Sequence, residues 1–176
     1  MEKRQHLQTV NKIHYYPGTP IRMLPGDVLY SHKTALSSFL VGHSGIVGLD
    51  YRIYHVNKWG KKGHADEMPT YLSRHKPGER LTILRSDDTI KAKKAAEWAM
   101  EHIGYVGSYV YTSDLKDIEN NYCSKFVWQA FYFGNDGQVD LTVRAITEGA
   151  HRYIMPAEIY RNLIKIGIFD YDVHMR

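Results

Sequence analysis

The chain contains a single cysteine, Cys123, among its 176 residues. One cysteine excludes an intramolecular disulfide, and it excludes zinc or iron–sulfur sites built from several thiolates. The sequence also lacks any run of about 18 apolar residues, which a helix needs to cross a bilayer. Residues 1–16 carry no apolar segment typical of a secretory signal. These absences predict a cytoplasmic chain without a membrane span, unless the natural protein carries a leader that this sequence lacks.

The composition is that of a folded protein. Hydrophobic residues make up 43% of the chain, which has 14 Tyr, 5 Phe and 3 Trp. Such a chain can bury a substantial core and does not resemble a disordered segment. The length predicts one domain over residues 1–176, in which residues 1–24 form a polar lead-in. The sequence does not indicate an oligomeric state.

Basic residues exceed acidic ones, and the net charge is +4. The densest basic segment is Lys58–Lys62, followed at a distance by Arg74, His75 and Lys76. Basic side chains beside Trp59 are suited to phosphate contacts. Such runs are more often solvated loops, however, and no recognisable nucleic-acid-binding module accompanies this one. A nucleic-acid partner is therefore not expected.

Turn residues divide the first half of the chain into short segments typical of strands. Val28–Tyr30 is an apolar run after a Pro-Gly turn, and residues 80–85 alternate in polarity as a further strand. Between them, Gly42–Val47 and Tyr51–Val56 predict the two arms of a hairpin around a Gly48–Asp50 connection.

Two segments in the second half have apolar residues at helical spacing. The first follows the cap-type residues Ser86–Thr89 and ends at Gly104. The second begins near Cys123 and is stopped by Gly134–Gly137.

A third helix is predicted to open at Pro156, a residue suited to the first helical position. Its apolar face would carry Ile159, Leu163 and Ile166. Strands and helices in this uneven order predict an α+β fold with an antiparallel sheet, rather than repeated strand–helix–strand units.

Cys123 falls in the first turn of its predicted helix, because the cap-type residues Asn120 and Asn121 precede it. Free N–H groups and the helix dipole favour negative charge at this end, which predicts a lowered thiol pKa. The backbone N–H of Cys123 can also donate to an oxyanion. This position suits a nucleophile, although a lone cysteine is more often a small buried apolar residue.

A thiol nucleophile needs a base, and the chain offers 10 histidines. Five lie in polar or terminal segments and are expected at the surface: His6, His14, His64, His75 and His174. His102 ends a predicted helix, where its charge is stabilised without any chemistry. His32 follows a predicted strand closely and is a weak candidate for the base.

His43 and His55 lie in the two arms of the predicted hairpin. If the turn centres on Leu49, their side chains are cross-strand neighbours on one face of the sheet. One imidazole can then hold the other in the tautomer of a general base, as a carboxylate or amide does in other triads. The pair also fits a structural hydrogen bond or half of a metal site. Two histidines without a third nearby ligand make a poor zinc site.

Six segments, taken in order, resemble a known family. They are G-D-V-L-Y (26–30), G-H-S-G-I-V-G (42–48), R-L-T-I-L-R (80–85), H-I-G-Y (102–105), Y-C-S-K-F-V-W (122–128) and M-P-A-E-I-Y (155–160). Together they resemble the permuted NlpC-type papain-like cysteine peptidases. These are the YiiX/YebB-like enzymes, relatives of the lecithin retinol acyltransferase family. The resemblance extends over residues 25–160.

The resemblance implies a cysteine at a helix N-terminus, packed against an antiparallel sheet that carries the histidine. By position, Cys123 would be the nucleophile, His43 the base and His55 the third polar residue, with Asn57 as the fallback for that place. Many YiiX-like sequences carry a glutamate near the third position. Ile53–Val56 here reads I-Y-H-V, which is closer to the His-His-Cys set of the acyltransferase relatives.

A tyrosine near the G-Y-V-G-S-Y segment is implied as a helper of the oxyanion or as pocket lining. Tyr109 is the first choice and Tyr105 the second. Packing within a sheet or loop explains either tyrosine equally well.

The activity implied is that of a cysteine peptidase or amidase. It would cleave an amide in a small peptide, with bacterial cell-wall peptides as the leading expectation, through a thioester acyl-enzyme. The mechanism needs no metal or organic cofactor. The enzyme alternative is an acyltransferase or thioesterase acting on lipid acyl groups. The other alternative is a binding module that keeps the fold without the chemistry.

Overall fold

The computed structural model describes residues 12–32, 42–76, 78–142 and 151–170. Strands within these ranges form one antiparallel sheet and one short parallel ladder. In chain order they are β1 (Val28–Ser31), β2 (His43–Val47), β3 (Ile53–Val56), β4 (Gly63–Asp66), β5 (Arg80–Arg85), β6 (Ser108–Tyr109), β7 (Asn120–Asn121) and β8 (Ile164–Asp170). The sheet has the order β4-β3-β2-β1-β5-β8, and β6 pairs with β7.

The helices fall largely where their apolar spacing predicts them. They are α1 (Met68–Ser73), α2 (Thr89–His102), α3 (Cys123–Gly134) and α4 (Pro156–Asn162), and a 3-10 turn at Ile103–Tyr105 extends α2. The predicted cap of α2 is confirmed, because the Asp88 carboxylate accepts the backbone N–H groups of Ile90 and Lys91, each at 3.0 Å. The α+β class with an antiparallel sheet is likewise confirmed.

The last predicted helix is wrong in its second half. It opens at Pro156 as expected but ends at Asn162, and Leu163 is already extended. Ile166 lies in β8, which pairs with β5. Isoleucines at 164, 166 and 168 have the period of a strand, but the apolar residues at 159, 163 and 166 also fit a helix, and the sequence alone did not separate the two.

The His43–His55 hairpin has a different register from the one expected. Ile46 pairs with Tyr54 and Val47 with Ile53, so the turn centres on Asp50 rather than Leu49. This shift moves every cross-strand pair by two residues. Because side chains alternate with a period of two, His43 and His55 keep a common face but become diagonal neighbours.

The sheet separates two apolar cores. On one face, Val28, Ile46 and Leu84 pack against α2 and α3, and on the other face Leu29, Val47 and Ile83 pack with residues of α1. His43 and His55 are an even number of residues from Val47 and Ile53 of the second core, so they share its face and contact Tyr71 of α1. Cys123 belongs to the helix layer on the first face.

The described part of the lead-in is not merely a polar tail. Tyr16 is fully buried in the second core, and its hydroxyl donates to the Asp27 carboxylate at 2.8 Å. The same carboxylate receives two hydrogen bonds from the Arg85 guanidinium, at 2.7 and 2.8 Å. This buried ion pair fixes the lead-in to β1 and β5.

Gly45 gives the histidine hairpin the space it needs. A Cβ at this position would lie 2.8 Å from Ile53 Cγ2 and 3.2 Å from the Cβ of His55. We therefore expect Gly45→Ala to lower the free energy of unfolding by about 1–3 kcal/mol, as overpacking does in cores. Chemical denaturation measures the change.

The matched control is Gly104→Ala, since no heavy atom lies within 4 Å of a Cβ built there. It should change stability by less than about 0.5 kcal/mol, as ordinary surface substitutions do. Equal effects of the two alanines would contradict the steric role of Gly45.

Candidate active site

Cys123 is the first residue of α3, as its sequence context predicts. The N-cap is Tyr122, whose backbone is extended and whose side chain makes no capping hydrogen bond. Capping by Asn120 or Asn121 is therefore wrong. Asn121 instead accepts the Tyr122 N–H through its side-chain oxygen at 2.9 Å and donates to Gln129 at 2.7 Å. This buried amide pair fixes the start of the helix.

The thiol of Cys123 lies against the beginning of β2. It is 1% exposed, and its Sγ is 4.0 Å from the Gly42 carbonyl oxygen. Ser44 and Ser124 favour the thiolate form of this sulfur through their backbone N–H groups, and their effect lowers its pKa. The residues on either side of His43 thus enclose the nucleophile predicted from the sequence.

The expected lowering of the thiol pKa is wrong for the resting protein. Burial raises the pKa of Cys123, and the hydrogen bonds from Ser44 and Ser124 offset this only in part. Desolvation disfavours the thiolate more than the helix terminus favours it. Cys123 therefore rests as a neutral thiol.

His43 and His55 are in direct contact. His43 Nε2 and His55 Nδ1 are 3.1 Å apart, and both side chains are fully buried. Burial, followed by the neighbouring histidine, holds the pKa of His43 well below its ordinary value. Burial lowers the pKa of His55 to about 4, against the opposing effect of a hydrogen bond to Asp66. Both imidazoles are therefore neutral at physiological pH.

The hydrogen-bond chain continues beyond the two histidines. His55 Nε2 is 2.7 Å from Asp66 Oδ2, and Arg74 Nε donates to the same oxygen at 2.6 Å. Burial would raise the pKa of Asp66, but the hydrogen bonds from His55 and Arg74 outweigh it and hold that pKa far below the usual range. Asp66 is thus a buried carboxylate that stays ionised.

This chain of contacts fixes the tautomer of each imidazole. A carboxylate can only accept, so His55 carries its proton on Nε2 and offers the Nδ1 lone pair. His43 must then donate from Nε2, which leaves its Nδ1 as the basic nitrogen. Among the described residues, His43 Nδ1 has no hydrogen-bond partner. We refer to His43, His55, Asp66 and Arg74 as the relay.

Sequence reasoning missed Asp66 and Arg74. Asp66 lies on β4 and Arg74 directly follows α1, and neither element has a strong pattern in the sequence. The G-H-A-D segment of β4 is weakly apolar, and α1 has only six residues. The available signal for Asp66 is its spacing from His55 and His64. In a hairpin of β3 and β4 that pairs His55 with His64, Asp66 lies two residues along β4, on the same face as His55.

Two histidines that were expected at the surface lie inside the protein instead. His75 is 4% exposed, and its ring lies 6.2 Å from that of His43 and 4.8 Å from that of Tyr71. His64 is partly buried and stacks on His55 with ring centres 5.2 Å apart. The surface prediction rested on the polar residues around these histidines in the sequence. Some of those residues are their buried or half-buried partners: Glu79 for His75 and Arg74 for His64.

The remaining candidates differ in burial and contacts. Asn57, the fallback for the third polar residue, is buried. The side chain in hydrogen-bond contact with His43 is that of His55. Tyr109 contacts Tyr111 through their hydroxyls at 3.4 Å, and the ring of Tyr111 lies 4.9 Å from that of Tyr122, beside Cys123. Tyr105 is 68% exposed on the 3-10 turn.

Two further segments have simple surroundings. His32 is exposed, and its ring contacts Tyr30 and Tyr160. The basic segment Lys58–Lys62 lies in the loop between β3 and β4, where the Lys62 ammonium donates to the Lys58 carbonyl at 2.7 Å. Trp59 in this loop is exposed.

Comparison with solved structures identifies the fold as papain-like. The chain is similar to the metalloprotein YiiX from Escherichia coli O157:H7, with a TM-score of 0.57 and 11% sequence identity over 82% of this chain and 96% of that chain. This confirms the YiiX-like fold expected from the sequence. In this chain, no three His, Cys, Asp or Glu side chains within the described ranges converge as ligands of a metal ion.

The chain belongs to the family of lipoprotein N-acylation proteins similar to LnsA, whose model matches residues 7–152. No curated protein matches it in sequence. Family and fold together are consistent with a cysteine-dependent hydrolase or acyltransferase. Among the described residues, no helix is both long and apolar enough to cross a bilayer.

The two buried histidines predict a loss of stability in acid. Their pKa values are lower in the folded chain than the 6.5 of an ordinary histidine, so between pH 6.5 and about 4 the unfolded chain binds more protons. The free energy of unfolding should fall as the pH falls through this window. Each histidine contributes up to about 1.4 kcal/mol per pH unit, and urea denaturation at several pH values measures the slope.

His55→Gln should flatten this slope by up to one proton, because glutamine does not titrate. His102→Gln is the control, since that histidine contacts Trp98 on α2 and lies outside the relay. A slope unchanged in His55→Gln would show that His55 is not held neutral.

Proposed function

We propose that this protein is a cysteine-dependent acyltransferase that passes an acyl group from an ester to an amine. Its nucleophile is Cys123, its general base is His43, and His55 and Asp66 are positioning residues. The observation that carries the proposal is the unbroken chain of contacts from His43 Nε2 to Arg74, together with a buried thiol that lies against Gly42, the residue before His43. Amide hydrolysis, the activity first expected from the sequence, shares the same thioester and differs in the acceptor.

Two observations favour acyl transfer over peptide hydrolysis. The family description names lipoprotein N-acylation, a reaction that joins an acyl group to an amine. Exposed apolar side chains also flank the start of α3, including Tyr111, Tyr153 and Met155. They adjoin Cys123 because Tyr111 contacts Tyr122, and because the Ser124 hydroxyl donates to the Ile154 carbonyl at 2.7 Å. An acyl chain is a suitable ligand for such a surface.

In the first half-reaction, the Cys123 sulfur attacks the ester carbonyl while its proton passes to His43 Nδ1. The imidazolium that forms is stabilised through His55 by the Asp66 carboxylate, as in other triads. The oxyanion is stabilised by the backbone N–H of Cys123 at the N-terminus of α3. Collapse of the intermediate breaks the ester bond, and His43 gives its proton to the leaving alkoxide.

In the second half-reaction, an amine attacks the thioester. The C–N bond forms, the C–S bond breaks, and a proton from the amine returns through His43 to the Cys123 sulfur. Water that reaches the thioester instead would give a free acid. The balance between the two acceptors decides whether the protein is observed as a transferase or as a hydrolase.

The decisive test is to trap the acyl-enzyme. Incubation with p-nitrophenyl octanoate should release one equivalent of nitrophenol in a burst and add one octanoyl group to the protein by intact-mass spectrometry. Because the chain has a single cysteine, Cys123→Ala should abolish both signals. His43→Ala should slow the burst by about 10²-fold or more, the usual contribution of a general base. A burst that persists in Cys123→Ala would overturn the proposal, and a wild-type chain with no burst would favour a binding module.

Asp66→Asn tests the relay separately from the nucleophile. An amide can donate as well as accept, so it no longer imposes one tautomer on His55, and the burst rate should fall by about 10²-fold or more. The neighbouring Glu67→Gln makes the same change in charge on an exposed side chain that contacts Arg52 at 3.6 Å, and it should leave the rate within about twofold. Similar rates for the two variants would exclude a positioning role for Asp66.

A further inference from the structure

A second histidine–carboxylate pair lies beside the relay and takes no part in it. His75 Nδ1 is 2.9 Å from Glu79 Oε2, and the His75 side chain has no exposed surface. Because the carboxylate accepts, the Nδ1 proton is fixed and Nε2 carries the lone pair. This is the same arrangement by which Asp66 orients His55.

The Nε2 atom of His75 is one of three neighbouring polar atoms that lack a hydrogen bond within the described ranges. Among the described residues, His75 Nε2, the Tyr71 hydroxyl and His43 Nδ1 are buried polar atoms without a hydrogen bond. The three rings are neighbours. The ring centres are 4.8 Å apart for Tyr71 and His75, and 6.1 Å apart for His43 and Tyr71. An unpaired buried polar atom is costly, and these three groups together, here called the recess, are suited to polar groups of a ligand.

The recess is next to the nucleophile. The Cys123 sulfur lies 4.0 Å from the carbonyl oxygen of Gly42, the residue that precedes His43, and the His43 ring lies beside Tyr71 in the recess. The recess also adjoins the general base, because the His43 ring contacts both Tyr71 and His75. The acyl acceptor must approach this base, since the imidazole that protonates the leaving group also takes the acceptor's proton.

An amine that arrives as an ammonium ion loses two protons as it forms the amide, one more than His43 returns to the sulfur. An α-amine has a pKa of about 8 and is mostly an ammonium ion at neutral pH. It must lose one proton before it can attack and a second proton as the amide forms. The second proton returns through His43 to the Cys123 sulfur, which leaves the first without an acceptor in the relay. A water acceptor does not have this requirement.

We propose that Tyr71 and the His75–Glu79 pair form the acceptor site, and that His75 Nε2 removes the first proton from an incoming ammonium group. This inference rests on the proposed acyl transfer. The ammonium N–H bond breaks toward His75, and the freed lone pair attacks the thioester carbon. The C–S bond then breaks, and the second proton reaches sulfur through His43. Glu79, whose side chain is 14% exposed, connects the protonated His75 to solvent.

The test compares two small amines as acceptors in wild type and His75→Gln. Glycinamide is largely an ammonium ion at pH 7, whereas aminoacetonitrile of similar size is largely unprotonated. With p-nitrophenyl octanoate as donor, we expect His75→Gln to lower octanoyl-glycinamide formation about tenfold or more. Amide formation from aminoacetonitrile should fall several-fold less than that from glycinamide, because this amine does not need the second base, and the nitrophenol burst reports any change in acylation separately.

The ratio between the two amines controls for folding, because a misfolded fraction lowers both products equally. Glu79→Gln, at the rim of the recess, should produce the same selective defect to a smaller extent. An equal loss with both amines, or no loss with either, would overturn the acceptor role of His75. A wild-type protein that is acylated but forms no amide would overturn transfer to an amine, and the acceptor role of His75 with it. Absence of the nitrophenol burst would instead refute the proposed function, and the inference with it.

Discussion

The buried hydrogen bond between His55 and Asp66 is the interaction on which the rest of the site depends. A carboxylate enclosed by protein is stable as an anion only when it is paired, and here Arg74 and His55 supply the pairing. Since the anion cannot donate, its presence determines where every proton of the two imidazoles lies. The hairpin of β3 and β4 and the short helix α1 together bring these groups into contact.

The sequence predicted the parts of the site that lie on strongly patterned elements. Cys123 is followed by a clear apolar helix face, and His43 and His55 lie in a hairpin with a recognisable turn, so their elements and common face were predictable. The exact register was not, because turns centred on Leu49 or Asp50 preserve the same alternation. Asp66, Arg74 and His75 lie on short polar segments, where local pattern does not separate a buried group from a solvated one. Their burial is a property of tertiary packing alone.

Burial sets the resting state of the site more strongly than the helix terminus does. It favours the neutral thiol of Cys123 and the neutral imidazole of His43, so the thiolate–imidazolium pair of an open site is not the ground state here. A neutral, enclosed thiol is a weak nucleophile and a poor target for oxidants. Charges therefore separate only during the reaction, when the oxyanion forms and the acceptor's proton is transferred within the buried site.

The chain order of the site has a consequence for folding. His43, His55, Asp66 and Arg74 fall within one continuous stretch of strands and a helix, whereas Cys123 meets the Gly42 carbonyl across 81 positions of sequence. Local contacts form with less loss of chain entropy than distant ones, so the histidines can assemble before the nucleophile arrives. A partly folded chain would thus hold its base without its thiol, and reactivity would begin only when the helix layer has docked on the completed sheet.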